Sequence, residues 1–197
     1  DAAAGWSGRR IVLFDESAQV IAGTVCRWAG VPIRDDEVPG LARDLVAMVD
    51  GFAFGGPRHW RARRARGRRE AWLSQLVGEV REGTTTVPEG CAVDVVSRHT
   101  DAGGERLDLR VAAVELLNII RPTTAVAWFM AFSGHALIRW PQHRELLASG
   151  NPAFAEAWAH EVRRYYPFAP FIGGRAPQET SFDGERIPEN SMVLLDL

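Results

Sequence analysis

Residues 111–137 read VAAVELLNIIRPTTAVAWFMAFSGHAL, a long apolar run whose periodicity predicts one helix with Arg121 and Pro122 at its centre. This pair breaks two local rules at once. A charge among apolar side chains is costly to bury unless it is paired, and a proline inside a helix removes a backbone hydrogen bond. Because proteins break such rules mainly where they carry function, we expect the functional site at this pair.

The composition is that of an ordinary globular protein. Of the 197 residues, 46% are hydrophobic and 24% charged, which is enough to form a sizeable core. The net charge of -2 provides no general attraction to nucleic acid or to a membrane surface, so we expect no nucleic-acid partner, and any anionic partner must be bound by a local feature. The run at 111–137 is long enough to span a bilayer, but Glu115, Asn118 and Arg121 near its middle argue against a membrane anchor.

The cysteines bear on the cellular compartment of the protein, and the chain ends bear on whether the chain is complete. Cys26 and Cys91 are too few for a disulfide framework or a zinc site, and they favour a reducing, cytoplasmic location. The chain begins at Asp1 rather than at methionine, and it ends in an apolar run at 191–197. Both ends look truncated, and we expect the chain to be part of a larger protein.

Periodicity, caps and breakers predict a mainly α protein that ends in a small β-sheet. Helices are predicted over 11–29, 36–52, 58–82, a short segment up to 99, 107–140, 142–148 and 152–166. Turn signals at Gly173-Gly174, Asp183-Gly184 and Glu189-Asn190 separate two or three short strands, such as 180–182 and 192–195. We therefore expect a single partial domain over 1–197, with a helical region at 1–171 and the start of a β-sheet region at 172–197.

The third predicted helix begins with seven arginines before Glu70, namely Arg58, Arg61, Arg63, Arg64, Arg66, Arg68 and Arg69. The chain contains no lysine, so this abundance reflects a general bias toward arginine. The cluster favours a solvated helix face, and a phosphate or nucleic-acid patch is the alternative. The histidines His135, His143 and His160 fall on separate predicted helices without a paired spacing, and they predict no metal site.

Arg121 has no neutralising neighbour on its own helix. The nearest acid, Glu115, is six residues away and therefore lies on a different face. Either an acid from another element pairs with Arg121 or a bound anion does, and the residues alone leave both open. An anion that fits among apolar side chains is an amphiphile such as a fatty carboxylate, which arginine binds through two parallel hydrogen bonds. Pro122 deprives the Asn118 carbonyl of its usual donor, which predicts a kink or an opening, either for packing or for a ligand.

A second motif, Glu161-x-x-Arg164, stands near the end of the last predicted helix. By itself it is a common surface ion pair of small energy. Its position, in a helix that leads through 166–171 into predicted strands, resembles the signature helix motif of cytochrome P450 enzymes. In ordinary monooxygenases of that family the long preceding helix carries an acid–threonine pair. Here the corresponding segment, 118–125, reads Asn-Ile-Ile-Arg-Pro-Thr-Thr-Ala.

The Arg121-Pro122 pair at that place resembles the fatty-acid peroxygenase group of cytochrome P450 enzymes. The likeness extends over nearly the whole chain, in 26–32, 48–50, 56–60, 63–66, 115–118, 161–168 and 193–197. It implies the central part of the cytochrome P450 fold, with a long central helix, haem b as cofactor, hydrogen peroxide as co-substrate and a long-chain fatty acid as substrate. It further implies hydroxylation at the α or β carbon without a redox partner protein; close relatives decarboxylate the acid instead.

The resemblance also implies roles for single residues. Arg121 would hold the substrate carboxylate, and Pro122 would shape the helix beside the iron. The positions that resemble the tail channel are Val49, Phe52, Ala125, Phe168 and Ala169. Glu161 and Arg164 would tie their helix to the loop below the haem and are structural rather than catalytic. The haem ligand is expected beyond Leu197, so the chain is predicted to hold no metal ligand, to bind haem poorly and to be inactive by itself.

The same resemblance implies the chemistry. Without an acid–threonine pair, the carboxylate held by Arg121 would itself take and return a proton of the peroxide. Two alternatives stand beside this hypothesis. One is an all-α ligand-binding domain for an amphiphilic carboxylate, which the predicted strands disfavour. The other is a conventional oxygen-dependent monooxygenase with redox partners, which Arg121 and Pro122 disfavour.

Overall fold

The computed structural model describes residues 2–51, 55–169 and 171–196. Within these ranges the protein is mainly helical, and its extended strands lie at the C-terminal end, as the sequence predicts. The chain forms two compact units that divide between Gly134 and His135. The single partial domain over 1–197 stays a prediction.

The helices follow the predicted order. They are α1 (Leu13–Ala29), α2 (Val38–Asp50), α3 (Pro57–Glu82), α4 (Ala92–Arg98), α5 (Leu109–Thr124), α6 (Val126–Arg139), α7 (Arg144–Ala148) and α8 (Pro152–Tyr165). Short 3-10 turns, Ala3–Trp6 and Pro141–His143, precede α1 and α7. The predicted helix at 107–140 is present as two segments, α5 and α6. None of the helices in the described ranges is both long and apolar enough to cross a bilayer.

The core of the first unit lies among α1, α2, α3 and α5. Its largest fully buried aliphatic side chains include Leu41, Leu45, Leu73, Leu116 and Ile120. Two buried acids hold α3 in place. Asp44 on α2 accepts hydrogen bonds from Arg68 at 2.6 Å and Arg69 at 2.8 Å, and Glu70 on α3 lies 3.5 Å from Arg110 of α5. Burial of these carboxylates is tolerated because each is paired with arginine.

Local signals in the sequence set the helix ends. α1 ends at Gly30, whose φ of 78° is readily adopted only by glycine. α5 begins after Asp108, whose carboxylate accepts two backbone N–H groups of the first turn. Asn151 caps α8 in the same way, as predicted. The start of α5 is therefore fixed by the Asp108 cap.

The C-terminal strands form two separate antiparallel pairs. They are β1 (Phe171–Arg175), β2 (Thr180–Phe182), β3 (Glu185–Ile187) and β4 (Met192–Asp196). β1 pairs with β4, so that Phe171 lies opposite Asp196, and β2 pairs with β3. The predicted turn at Asp183-Gly184 is confirmed, because both residues have positive φ between β2 and β3.

The prediction of a turn at Gly173-Gly174 is wrong, because both glycines lie inside β1. They pair with Leu194 and Val193 of β4. A Cβ at Gly173 would come within 2.8 Å of the Leu194 side chain, so glycine serves here for close approach across the strands. Within the described ranges the β region therefore starts one residue earlier than predicted and has four strands, in two sheets rather than one.

Two glycines of the first unit provide a matched test of this packing. Gly51, directly after α2, is buried, and a Cβ there would lie 2.7 Å from the Arg58 carbonyl oxygen. Gly67, inside α3, is exposed and has open space around it. We expect Gly51→Ala to lower the free energy of unfolding by about 1–3 kcal/mol through overpacking, and Gly67→Ala to raise it by about 0.5–1 kcal/mol. Urea denaturation followed by circular dichroism measures both values; a stabilising Gly51→Ala would contradict the packing described.

Candidate functional site at the interrupted helix

The long apolar helix is interrupted at Ala125, between α5 and α6. The Ala125 N–H group donates to the Pro122 carbonyl oxygen at 3.0 Å, and the Trp128 N–H group donates to the Ala125 carbonyl oxygen at 3.1 Å. Both bonds span three residues rather than the four of an α-helix. Pro122 has no N–H group for the Asn118 carbonyl, and the helix opens within one turn after it. The predicted opening is therefore present.

Two threonine hydroxyls bind the last turn of α5. Thr123 Oγ1 donates to the Ile119 carbonyl oxygen at 3.0 Å, and Thr124 Oγ1 donates to the Ile120 carbonyl oxygen at 3.4 Å. Such bonds to a carbonyl one turn back bend helices. Thr124 is also fully buried. Because both hydroxyl protons are directed into the helix, neither threonine presents a proton donor at the interruption.

Arg121, one turn before the interruption, has no acidic partner among the described residues. Three of the described arginines are less than fully exposed: Arg69, Arg81 and Arg121. Arg69 binds Asp44, and Arg81 donates to the Ser97 carbonyl oxygen at 3.0 Å. Arg121 forms neither an ion pair nor a side-chain hydrogen bond with any residue in the described ranges. A half-buried guanidinium without a counter-charge is costly, so either an acid outside the described residues or a bound anion would neutralise Arg121.

The neighbours of Arg121 on its helix face carry no charge. They are Leu117, Asn118, Thr124 and Ala125, three and four residues away on either side. Glu115, the nearest acid in the sequence, is itself exposed, and α5 carries it on a face away from Arg121. An anion at Arg121 would therefore meet uncharged side chains on this helix. This setting suits a carboxylate that carries an apolar chain.

A groove of about 500 Å³ lies between α4 and α5 in the same unit. It is lined by Val95, Val96, His99, Leu107, Val111, Glu115, Asn118 and Ile119. One end of this groove, at Asn118 and Ile119, lies within one turn of Arg121. This groove was not predicted from the sequence, although its lining residues on α5 recur at i, i+4, i+7 and i+8, a spacing that places them on one helix face. The sequence alone does not indicate that α4 lies against these α5 residues.

The structure places the predicted site residues in both units. Arg121, Pro122 and Ala125 lie within about one turn of α5, and half-buried Val49 lies on α2, which packs against α5. Phe168 and Ala169 are exposed in the segment after α8, in the second unit. Phe52 lies outside the described residues. Arg121, Pro122 and Ala125 are thus neighbours along the chain, and the catalytic and tail-channel assignments all stay predictions.

In the second unit, Glu161 and Arg164 form the predicted pair on α8. Arg164 Nε donates to Glu161 Oε2 at 2.8 Å, and Arg164 Nη2 donates to Glu161 Oε1 at 2.6 Å. The hydrogen bonds from Arg164 lower the pKa of the Glu161 carboxyl below its ordinary value. Both side chains remain largely exposed, at 59% for Glu161 and 70% for Arg164. On this helix alone the exposed bidentate pair contributes little to stability.

Aromatic side chains surround this pair. A pocket of about 340 Å³ beside α8 is lined by Ala136, Trp140, His143, Trp158, Glu161, Val162, Arg164, Tyr165 and Tyr166. His135 Nδ1 lies 2.7 Å from the Tyr166 hydroxyl, and the Trp140 and Tyr165 rings meet edge to face at 5.3 Å. The aromatic contacts fix the end of α8, where the helix gives way to the strands.

Neither cysteine of the chain fits a haem iron. Cys26 is fully buried in the core of the first unit, and burial raises the pKa of its thiol to about 12. Cys91 Sγ accepts the Asp94 N–H group at 3.4 Å as the cap of α4. An iron-bound thiolate needs an accessible, deprotonated sulfur, which Cys26 does not offer, and the sulfur of Cys91 already accepts a backbone hydrogen bond. Among the described residues there is also no cluster of three or more His, Cys, Asp or Glu side chains suited to a metal ion.

The fold of this chain is similar to that of several known proteins. No protein-family profile matches the chain. Among solved structures, cytochrome P450SP alpha (CYP152B1) in complex with (R)-ibuprophen is 38% identical, with a TM-score of 0.84 over 100% of this chain and 48% of that one. A variant of cytochrome P450 OleT in complex with arachidonic acid is 35% identical, with a TM-score of 0.81 over 93% of this chain and 44% of that one.

A third similar structure is wild-type cytochrome P450EX alpha (CYP152N1) with myristic acid. It is 36% identical, with a TM-score of 0.80 over 95% of this chain and 45% of that one. The chain therefore spans slightly less than half the length of each of these three proteins. The similarity covers both the helical region and the strands, which confirms the predicted fold. The chain belongs to the cytochrome P450 superfamily and, within it, to the CYP152 peroxygenase group.

Proposed function

We propose that the full-length protein is a haem peroxygenase that uses hydrogen peroxide to hydroxylate long-chain fatty acids at the α or β carbon. The observation that carries this proposal is Arg121, a half-buried guanidinium beside an interrupted helix, which has no side-chain partner among the described residues. Two of the similar CYP152 structures hold arachidonic or myristic acid. A fatty carboxylate would neutralise Arg121 and place its chain against apolar side chains.

Arg121 has the geometry of a carboxylate anchor. Its guanidinium offers two parallel N–H groups that match the two oxygens of a carboxylate. Because the carboxylate end would be held at the helix interruption, the α and β carbons would lie closest to it, and the rest of the chain would extend away. Holding one end in this way restricts reaction to the neighbouring carbons. Val49, Phe52, Ala125, Phe168 and Ala169 are proposed to line the tail channel.

The bound carboxylate is also proposed as the acid–base group. Thr123 and Thr124 keep their hydroxyl protons inside the helix, and Glu115 lies on another face of α5. The carboxylate held by Arg121 would therefore take a proton from hydrogen peroxide and return it to the departing oxygen, so that water leaves. The overall reaction balances as R–H plus hydrogen peroxide giving R–OH plus water.

Haem b, when bound, would supply the oxidising chemistry beside Pro122. Neither Cys26 nor Cys91 is proposed as its iron ligand. Peroxide brings both the oxygen atom and the oxidising equivalents, and the proposed reaction needs no redox partner protein. We further propose that the full-length protein works in the cytoplasm, where its two free thiols stay reduced.

The experiment uses the full-length protein that contains this chain. We expect its ferrous carbon monoxide complex to show thiolate-haem absorbance, and myristate with hydrogen peroxide to give 2- or 3-hydroxymyristate by mass spectrometry. Absence of a haem signal would instead favour a ligand-binding domain without chemistry. Turnover only with reduced nicotinamide and an electron-transfer chain would replace the peroxygenase with an oxygen-dependent monooxygenase.

A further inference from the structure

The arginine cluster of α3 divides into two sets. Four of its arginines lie within 4 Å of a carboxylate: Arg58 with Asp50, Arg66 with Glu70, and Arg68 and Arg69 with Asp44. The other three, Arg61, Arg63 and Arg64, are exposed and have no ion pair in the described part of the chain. The cluster is therefore not a uniform row of free charges, because four of its arginines are paired with acids. The first half of α3 retains three uncompensated positive charges.

An exposed tryptophan stands among these three charges. Trp60 is 58% exposed, and the Arg63 guanidinium lies 5.9 Å from the centre of its ring. At 100° per residue, Trp60, Arg61, Arg63 and Arg64 occupy an arc of about 160° of the helix surface. We call these four residues the basic face of α3. Exposed tryptophan is uncommon on a protein surface that meets only water, and its ring is well suited to the boundary between lipid and water.

We propose that the basic face of α3 docks the protein onto a bilayer that contains anionic phospholipid. Arginine guanidinium groups bind phosphate through two parallel hydrogen bonds, and Trp60 would enter the headgroup region between them. The chain as a whole carries a net charge of -2, so the attraction comes from this face and not from the total charge. The inference does not depend on the proposed function.

The size of the basic face favours a lipid surface over nucleic acid. Arg61, Arg63 and Arg64 could neutralise only about three phosphates, which provides little affinity for a nucleic acid. A fluid bilayer needs no extended row of positive charges, because anionic headgroups gather around any local positive charge. Each arginine near an anionic membrane strengthens binding about fivefold, so three of them raise the partition coefficient about a hundredfold.

The test measures cosedimentation of the full-length protein with vesicles. We expect binding to vesicles of mixed phosphatidylglycerol and phosphatidylcholine, little binding to phosphatidylcholine alone, and release at high salt. The double variant Arg61→Ala/Arg64→Ala should bind the anionic vesicles about 25-fold more weakly. Trp60→Ala should weaken binding with the charge unchanged. Far-ultraviolet circular dichroism of each variant checks that the fold is retained.

A matched control removes the same charge elsewhere. Arg10 and Arg106 are exposed and have no side-chain partner within the described residues, and Arg10→Ala/Arg106→Ala should leave vesicle binding within about twofold of the original. Equal weakening by this control would overturn the proposal, because binding would then follow total charge. So would equal binding to neutral vesicles, no binding to anionic vesicles, or binding to duplex DNA or an acidic protein in place of vesicles.

Discussion

Replacing Arg121 with alanine is expected to lower kcat/KM for peroxide-dependent myristate hydroxylation by about a thousandfold or more, because both the anchor and the positioned acid–base group are lost. The haem absorbance should stay close to that of the original protein, since Arg121 forms no hydrogen bond or ion pair within the described ranges. Product formation by mass spectrometry and the ferrous carbon monoxide spectrum give the two readouts. Hydroxylation at an undiminished rate would refute the anchor.

Two companion variants separate anchoring from general damage to the helix. Thr123→Val, two residues further along, removes a hydroxyl that donates to the Ile119 carbonyl oxygen, and we expect a change in kcat/KM of less than about twofold. Arg121→Lys keeps the charge but loses the paired N–H groups, so it should retain an intermediate activity. A loss in Thr123→Val as large as that in Arg121→Ala would indicate that the helix opening, rather than the guanidinium, is what matters.

Replacing Glu161 with glutamine is expected to remove most of the haem from the purified full-length protein. In this chain the pair with Arg164 is largely exposed and joins residues three apart on one helix, where such a pair contributes little to stability. An effect on haem content therefore requires a contact beyond α8, which is the structural role that the family resemblance implies. The ratio of haem to protein absorbance measures it.

The same helix supplies the control. Glu156 lies 3.9 Å from His160 on α8, and its side chain is 76% exposed. Glu156→Gln removes a similar charge from a similar surface pair, and we expect the haem content to remain within about 10% of the original. Equal haem loss in both variants would show that α8 is merely sensitive to charge. Full haem retention in Glu161→Gln would refute the structural role of the pair.

Much of the helical fold could be predicted because each long helix buries one apolar stripe. Leu41, Leu45 and Met48 recur at helical spacing on α2, and all three are buried. Capping chemistry such as Asn151 is local and could be predicted for the same reason. β1 could not, because Gly173 and Gly174 are turn signals by themselves. Only the side chain of Leu194, about twenty residues later, explains their place in a strand.

The candidate site was predictable where its chemistry is local. Arg121 and Pro122 conflict with their neighbours in the sequence, and the structure shows the opened helix that Pro122 predicts. The exact place of the opening, Ala125, depends on which carbonyl each N–H group reaches. The bonds of Thr123 and Thr124 could not be predicted either, because a hydroxyl has several acceptors within reach.

The burial of Cys26 has a consequence for durability. A protein that consumes hydrogen peroxide is exposed to oxidative self-inactivation, which begins at cysteine with the thiolate form. Cys26 is sealed in the core of the first unit, and burial raises the pKa of its thiol to about 12. At neutral pH almost no thiolate is present, and no surface is open to the oxidant. Under the proposed function, such a core would pass through many catalytic cycles without accumulating sulfenic acid at this residue.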